Sequence, residues 1–181
     1  MNRHIYLIGY RGCGKSSVGR ILAQRLSRPF ADTDAMVEAT QGRTIREIFD
    51  SEGEAAFRDA ESAAIREVAN RDTPSVIALG GGGVLRDENR RLLKSGIVVW
   101  LTAAVETLGR RIAADRGSAG SRPSLSGVAS AVDEIREILQ RRMPIYEAAA
   151  DLDVDTEGLS PSEIADRIAT FLEAADPTAV R

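Results

Sequence analysis

The sequence predicts an α/β fold, a three-layer sandwich around a central five-stranded parallel sheet, and three observations carry that reading. Five short apolar runs are spread along the chain, with segments of helical period between them. Several of those segments open on helix start signals, and strands joined in parallel need such crossovers. The first run ends in a glycine-rich turn leading straight into a helical segment, and in such sheets ligands bind beyond the carboxyl ends of the strands.

The first run is HIYLIG (4–9), followed by GYRGCGKS (9–16) and the helical segment SSVGRILAQRL (16–26). The second, RPFAD (28–32), runs into FADTDAM, where Asp32 and Asp34 stand one residue apart. On an extended chain such a pair points to one side, about 7 Å apart at roughly 3.3 Å of rise per residue. That separation suits two different tasks better than one shared proton. TIRE from Thr44 and SEGE from Ser51 both fit the capping box and predict helix starts. The third run, PSVIAL (74–79), ends in four glycines, residues 80–83. Glycine costs roughly 0.5–1 kcal/mol per residue relative to alanine in regular structure, so a run directly after a buried strand indicates close backbone approach to a ligand. IVVWL (97–101) and LDVD (152–155) are the fourth and fifth runs, and SPSE from Ser160 opens the last helix with Pro161 in its first turn. One stretch breaks the alternation. DRGSAGSRPSLSG (115–127) is rich in Ser and Gly and carries Arg116 and Arg122; it reads as a flexible connection or as a lid over a site.

A chain of 181 residues fits one domain, read here as 1–175 with a short tail, 176–181. A net charge of -3 and an aromatic share of 4% lack the basic footprint of a nucleic-acid binder, so local basic groups must carry any anion binding. Cys13 is the single cysteine, which rules out an internal disulfide and points to a reducing, cytoplasmic setting. The strongest apolar stretch, IVVWLTAAV from Ile97, is far short of the roughly 20 residues needed to span a bilayer, so no membrane partner is expected. The N-terminal segment is too short in apolar residues for a signal peptide. No large exposed apolar surface is foreseen, which makes a monomer the expectation.

GYRGCGKS matches G-x-x-x-x-G-K-[ST] in the required setting between strand and helix. Chance would place the bare pattern in roughly one chain of this length in a hundred. Its glycines let successive N–H groups and the following helix N-terminus face a polyphosphate. Lys15 is expected to neutralise the outer phosphates of ATP, and Ser16 to offer its hydroxyl to magnesium. Gly12, Cys13, Gly14 and Ser17 complete the cradle. Cys13 reads as a small residue suited to a tight turn, although a thiol beside a helix N-terminus invites a lowered pKa and alkylation that nucleotide slows. His4, the only histidine, reads as structural.

The guanine-reading N-K-x-D pattern is absent, which disfavours a GTPase switch. The third strand ends in glycines rather than an acid, so Asp32 is the candidate for the metal side, acting through bound water. Taken together, GYRGCGKSS, ADTD, FRDAE (57–61), GGG (80–82), RP (122–123), RMPIY (142–146) and DLDVDTEGLSPSEIA occur in the order and at about the spacing found in shikimate kinases. The chain resembles that family of phosphate-loop kinases, in the nucleoside monophosphate kinase branch, over nearly its whole length.

The resemblance implies the phosphate-loop kinase fold with a mobile lid at about 116–127. It implies transfer of the ATP γ-phosphate to the 3-hydroxyl of shikimate, a step of aromatic amino acid biosynthesis. Asp34 would be the general base, and Phe57, Arg58, Gly80, Gly81, Gly82 and Arg142 would bind the acceptor. Without it, Arg58 and Glu61 read as a surface ion pair worth a few tenths of a kcal/mol, and Arg142, two residues before the helix-breaking Pro144, as solvated surface. Arg122 would close over the transferring group, and Arg111, or else Arg110, would contact adenine. Gly83 is left as an ordinary turn residue. One departure stands out: the family usually has two leucines after the lid RP, where this chain reads RPSL with Ser124. The rival readings are a gluconate-type kinase and a regulatory nucleotide-binding module without catalysis.

Overall fold

In the computed structural model, which describes residues 3–114 and 131–175, the chain order is β1 (Ile5–Ile8), α1 (Lys15–Arg25), β2 (Phe30–Asp32), α2 (Thr33–Gln41), α3 (Ile45–Ala69), β3 (Val76–Ala78), α4 (Asp87–Leu93), β4 (Ile97–Thr102), α5 (Val105–Ala114), α6 (Ala131–Ala149), β5 (Leu152–Asp155) and α7 (Pro161–Ala174). All five expected strands are present, and they form one parallel sheet in the order β2-β3-β1-β4-β5. The expected lid with Arg116, Arg122 and Ser124, and the tail 176–181, lie outside the described residues.

The layers follow from the period of β1. Ile5 and Leu7 point to one face and Tyr6 and Ile8 to the other, and all four are buried. Ile5 and Leu7 join Val18 and Leu22 of α1 and Ile164 and Ile168 of α7 in one core cluster. Tyr6 and Ile8 join Ile65 and Val68 of α3 and Tyr146 of α6 in the other. A sheet buried on both faces with helices on each is the three-layer sandwich that the alternation predicts. The chain leaves β1 toward β2 on one side and leaves β4 toward β5 on the other. The crevice between β1 and β4 is therefore the switch point of the sheet, and the loop after β1 opens into it.

Three local expectations need correction. Asp34 does not continue the extended strand: α2 begins at Thr33, so Asp32 is its N-cap and Asp34 lies in its first turn. Ser51 starts no helix. Its hydroxyl donates to the Glu47 carbonyl at 2.6 Å inside α3, and the break falls two residues later at Gly53, where φ is 82°. Pro144 does not end α6, which continues to Ala149. The other two capping boxes form as expected, with Thr44 and Glu47 opening α3 and Ser160 and Glu163 opening α7. His4 has the structural role expected of it. Its Nδ1 accepts from the Ser75 N–H at 3.1 Å, which leaves the proton on Nε2 to donate to the Arg71 carbonyl at 2.9 Å.

Candidate active site

The site is built first from the loop between β1 and α1. Gly9, Gly12 and Gly14 adopt φ values of 134°, 86° and 95°, a region that residues with a Cβ rarely enter. This turns the chain so that α1 opens at Lys15 with Gly14 as its N-cap and no side chain capping it. No acid stands in the first turn, so the exposed N–H groups and the positive end of the helix remain available to an anion. Lys15 Nζ donates to the Gly9 carbonyl at 2.8 Å and to the Tyr10 carbonyl at 3.0 Å, which curls the side chain back over the loop. Cys13 is 1% exposed and packs in the core under the loop, in keeping with its reading as a small residue for a tight turn.

Beside the loop stands the end of β2. The Ser16 hydroxyl donates to Asp32 Oδ2 at 2.6 Å, while Asp32 Oδ1 accepts from the N–H groups of Asp34 at 3.1 Å and Ala35 at 3.4 Å. One carboxylate thus links the phosphate loop to the start of α2. Asp34 projects onward to the glycine turn after β3. A Cβ at Gly80 would collide with Asp34 Oδ1 and sit 2.6 Å from Glu61 Oε1, so only glycine lets the backbone approach these two acids. Thr33, between the aspartates and fully buried, accepts the Gly80 N–H at 2.9 Å.

Arg58 and Glu61 are no surface pair. Glu61 is 1% exposed and Arg58 8%, and Arg58 Nη1 donates to Glu61 Oε2 at 2.6 Å while Nε and Nη2 reach Glu54 at 3.2 and 3.0 Å. Burial opposes the guanidinium charge, but Glu61 and Glu54 outweigh it and hold the pKa above its ordinary value. The fork lies against Gly82, where a Cβ would stand 2.5 Å from Cζ. Phe57 is fully buried, with the Arg58 guanidinium 5.1 Å from its ring centroid. From α6, Arg142 Nη1 donates to the Gly81 carbonyl at 3.1 Å and the Tyr146 hydroxyl to the same oxygen at 2.5 Å. Gly83 closes a turn onto the Gly80 carbonyl at 2.9 Å, as an ordinary turn residue would.

A cavity of about 780 Å³ joins these parts. It is lined by Gly12, Cys13, Gly14, Lys15, Ser16 and Ser17, by Asp32 and Asp34, and by Gly81 and Arg111. Arg111 donates to the hydroxyl and carbonyl of Thr156 at 2.9 and 3.0 Å, whereas Arg110 turns to Thr107 and does not line the cavity. Phe57, Arg58, Gly80, Gly82 and Arg142 do not line it; Gly80 lies against Asp34, and Arg142 donates to the Gly81 carbonyl. The cavity also takes in Leu159, at the end of the 155–159 loop that the resemblance sets over the adenine, and Arg11, Glu38 and Ile45, which the sequence does not single out.

A phosphate loop and a buried guanidinium beside a glycine turn meet in one chain whose residues 11–173 match the family model for shikimate kinase. The chain belongs to the shikimate kinase family. It is 49% identical over 175 residues to the shikimate kinase of Syntrophus aciditrophicus, with 92% of this chain and 89% of that protein covered. Identity is 47% over 163 residues to that of Rhodopirellula baltica, with 90% and 86% covered. The structure of the shikimate kinase from Acinetobacter baumannii in complex with shikimate superposes with a TM-score of 0.89 at 35% identity, covering 96% of this chain and 94% of that one. As a shikimate kinase by family, this chain is an ATP-dependent phosphotransferase. No helix among the described residues is long and apolar enough to cross a membrane.

Proposed function

We propose that the chain transfers the γ-phosphate of ATP to the 3-hydroxyl of shikimate, with the roles assigned to its residues as follows. The observation that carries this reading is that one cavity is lined both by Lys15 and Ser16 and by Asp34 and Gly81. A donor and an acceptor bound there would meet across a short gap, which is the main requirement of phosphoryl transfer.

The phosphates would lie on the N–H groups of residues 12–17, with Lys15 leaving its loop carbonyls to neutralise them. Ser16 and Asp32 offer two hard oxygens side by side, which fits magnesium held mostly by phosphate and water. Among the described residues there is no cluster of three or more His, Cys, Asp or Glu side chains that could hold a metal ion. Magnesium, when bound, supplies charge neutralisation on the phosphate oxygens. Arg58 and Arg142 would orient the acceptor carboxylate, since a guanidinium fork matches two carboxylate oxygens. Asp34 would accept the hydrogen bond of the acceptor hydroxyl and take its proton. Arg122, outside the described residues, is assigned to the transferring group, and Arg111 to adenine. We also read the chain as a monomer, because Met143 is the one large apolar side chain exposed among the described residues.

ADP release over a panel of hydroxy acids, with and without magnesium, tests the proposal. Turnover with shikimate and magnesium is expected. Turnover with gluconate alone would replace the acceptor, and nucleotide binding without turnover on any acid would make the chain a regulatory module.

A further inference from the structure

We propose that Tyr146 is a positioning residue for the acceptor: its hydroxyl holds the Gly81 carbonyl, and with it the 80–82 backbone, when Arg142 leaves that carbonyl for the acceptor's carboxylate. The inference rests on the role of Arg142 proposed above. Arg142 and Tyr146 are four residues apart on α6, so they share a face, and both donate to one oxygen. They are unequal donors. Tyr146 is 1% exposed, its ring stacks on Trp100 with centroids 5.8 Å apart, and its bond is the shorter at 2.5 Å. Burial pushes its phenol pKa up to about 12, so the proton needed for donation stays in place at neutral pH. Arg142 is half-buried and holds the oxygen at 3.1 Å through a long side chain that can swing without moving the helix.

Gly81 is buried, and a buried carbonyl stripped of its donors is costly. With both donors in place, Arg142 can move to a ligand while the carbonyl stays bonded. The flanking glycines are pinned elsewhere, Gly80 through its N–H to Thr33 and Gly83 through its carbonyl, which accepts from Asn89 Nδ2 at 2.9 Å. Tyr146 therefore secures the middle of the turn. Removing only its hydroxyl leaves the free protein with Arg142 still on Gly81, and the deficit arises once the acceptor claims Arg142. That dependence on ligand separates a positioning role from a merely structural one.

Tyr146→Phe keeps the ring on Trp100 and tests the proposal alongside Arg142→Ala. The expected result for Tyr146→Phe is a shikimate KM raised about tenfold, with the KM for ATP and the unliganded melting temperature nearly unchanged and a smaller rise in melting temperature on adding shikimate. An unchanged shikimate KM overturns the inference, as does an unliganded melting temperature that falls together with affinity for both substrates. Arg142→Ala reports on the underlying reading. If it raises the shikimate KM and Tyr146→Phe does not, the hand-over alone fails; if it leaves that KM unchanged, the carboxylate role of Arg142 fails and the hand-over with it.

Discussion

Ser16 and Asp32 are joined by a 2.6 Å hydrogen bond across the mouth of the phosphate loop, and the second oxygen of the same carboxylate caps α2. Asp32 therefore serves two structures at once, the phosphate loop and a helix start, and its proposed metal-side role can be separated from the cap by choice of substitution.

Asparagine caps a helix about as well as aspartate, so Asp32→Asn should leave the melting temperature close to that of the parent. It removes the charge that would face a magnesium-bound water, and the magnesium needed for half-maximal ADP release should rise about tenfold or more. Asp32→Ala should show the same magnesium effect and also lose about 1 kcal/mol of stability with the cap. An unaltered magnesium dependence in both variants would remove Asp32 from the metal side.

Asp34, in the first turn of α2, is the residue proposed above as the general base. Asp34→Asn keeps the side-chain volume against Gly80 and removes the base. It should lower kcat by roughly 10²–10⁴-fold while ADP binding, measured by calorimetry, stays within error of the parent. Retained turnover would assign the base elsewhere.

The reach of sequence reasoning can be traced through these same residues. The five strands and the phosphate loop were legible because period, glycine spacing and flanking segments are local properties. The order of the strands was not, since parallel pairing joins residues far apart in the chain. The two aspartates read as an extended pair because they follow directly on the RPFAD run; the helix-start signal in ADTD is the N-cap preference of Asp32 alone. By spacing alone Arg58 and Glu61 read as a surface pair at i,i+3, whereas the resemblance has Glu61 hold Arg58, as its 2.6 Å hydrogen bond does; their burial against the glycine turn after β3, some twenty residues away, is not local. Pro144 reads as a stop signal, yet it lies within a helix held by packing of Tyr146 against the sheet. Thr33, Asn89 and Tyr146 act through backbone atoms of residues 80–83, a role with no motif of its own. For Tyr146 the available signal was its spacing of four from Arg142.

Acid should weaken the two boxed helices. Glu47 and Glu163 have pKa values below the ordinary glutamate value, each mainly through hydrogen bonds from its cap residue, Thr44 and Ser160 respectively. A depressed carboxyl pKa contributes stability that is full above the ordinary value and is lost as pH falls through the lower folded-state value. Melting temperature should therefore decline on acidification in that window. The decline should be shallower in Glu47→Gln, Glu163→Gln and most of all in the double variant. Equal pH profiles for parent and double variant would show that neither box contributes.

Arg58, proposed above to bind the acceptor carboxylate, is also a structural partner of Glu61. Arg58→Ala strands the carboxylate of Glu61 in the interior, which costs about 3–5 kcal/mol, so a lost activity would say little about the acceptor. Arg58→Lys keeps a cation for Glu61 but lacks the planar fork, and should raise the shikimate KM with the KM for ATP unchanged and only a modest fall in melting temperature. Gly82→Ala approaches the same fork from the other side. Its Cβ would stand 2.5 Å from Arg58 Cζ and 2.8 Å from Nη2, so the guanidinium must shift. A shift of about an ångström in a positioning group can cost on the order of 100-fold in kcat/KM, and here the loss should appear with shikimate while ADP affinity holds. Gly83→Ala is the control one residue away: its Cβ would meet Leu79 Cδ2 at 3.0 Å and the Gly80 carbonyl oxygen and Ile65 Cδ1 at 3.2 Å, none of them in the fork. It should lower the melting temperature more than it raises the shikimate KM. The reverse ranking of Gly82→Ala and Gly83→Ala on that KM would place the acceptor's carboxylate away from Arg58.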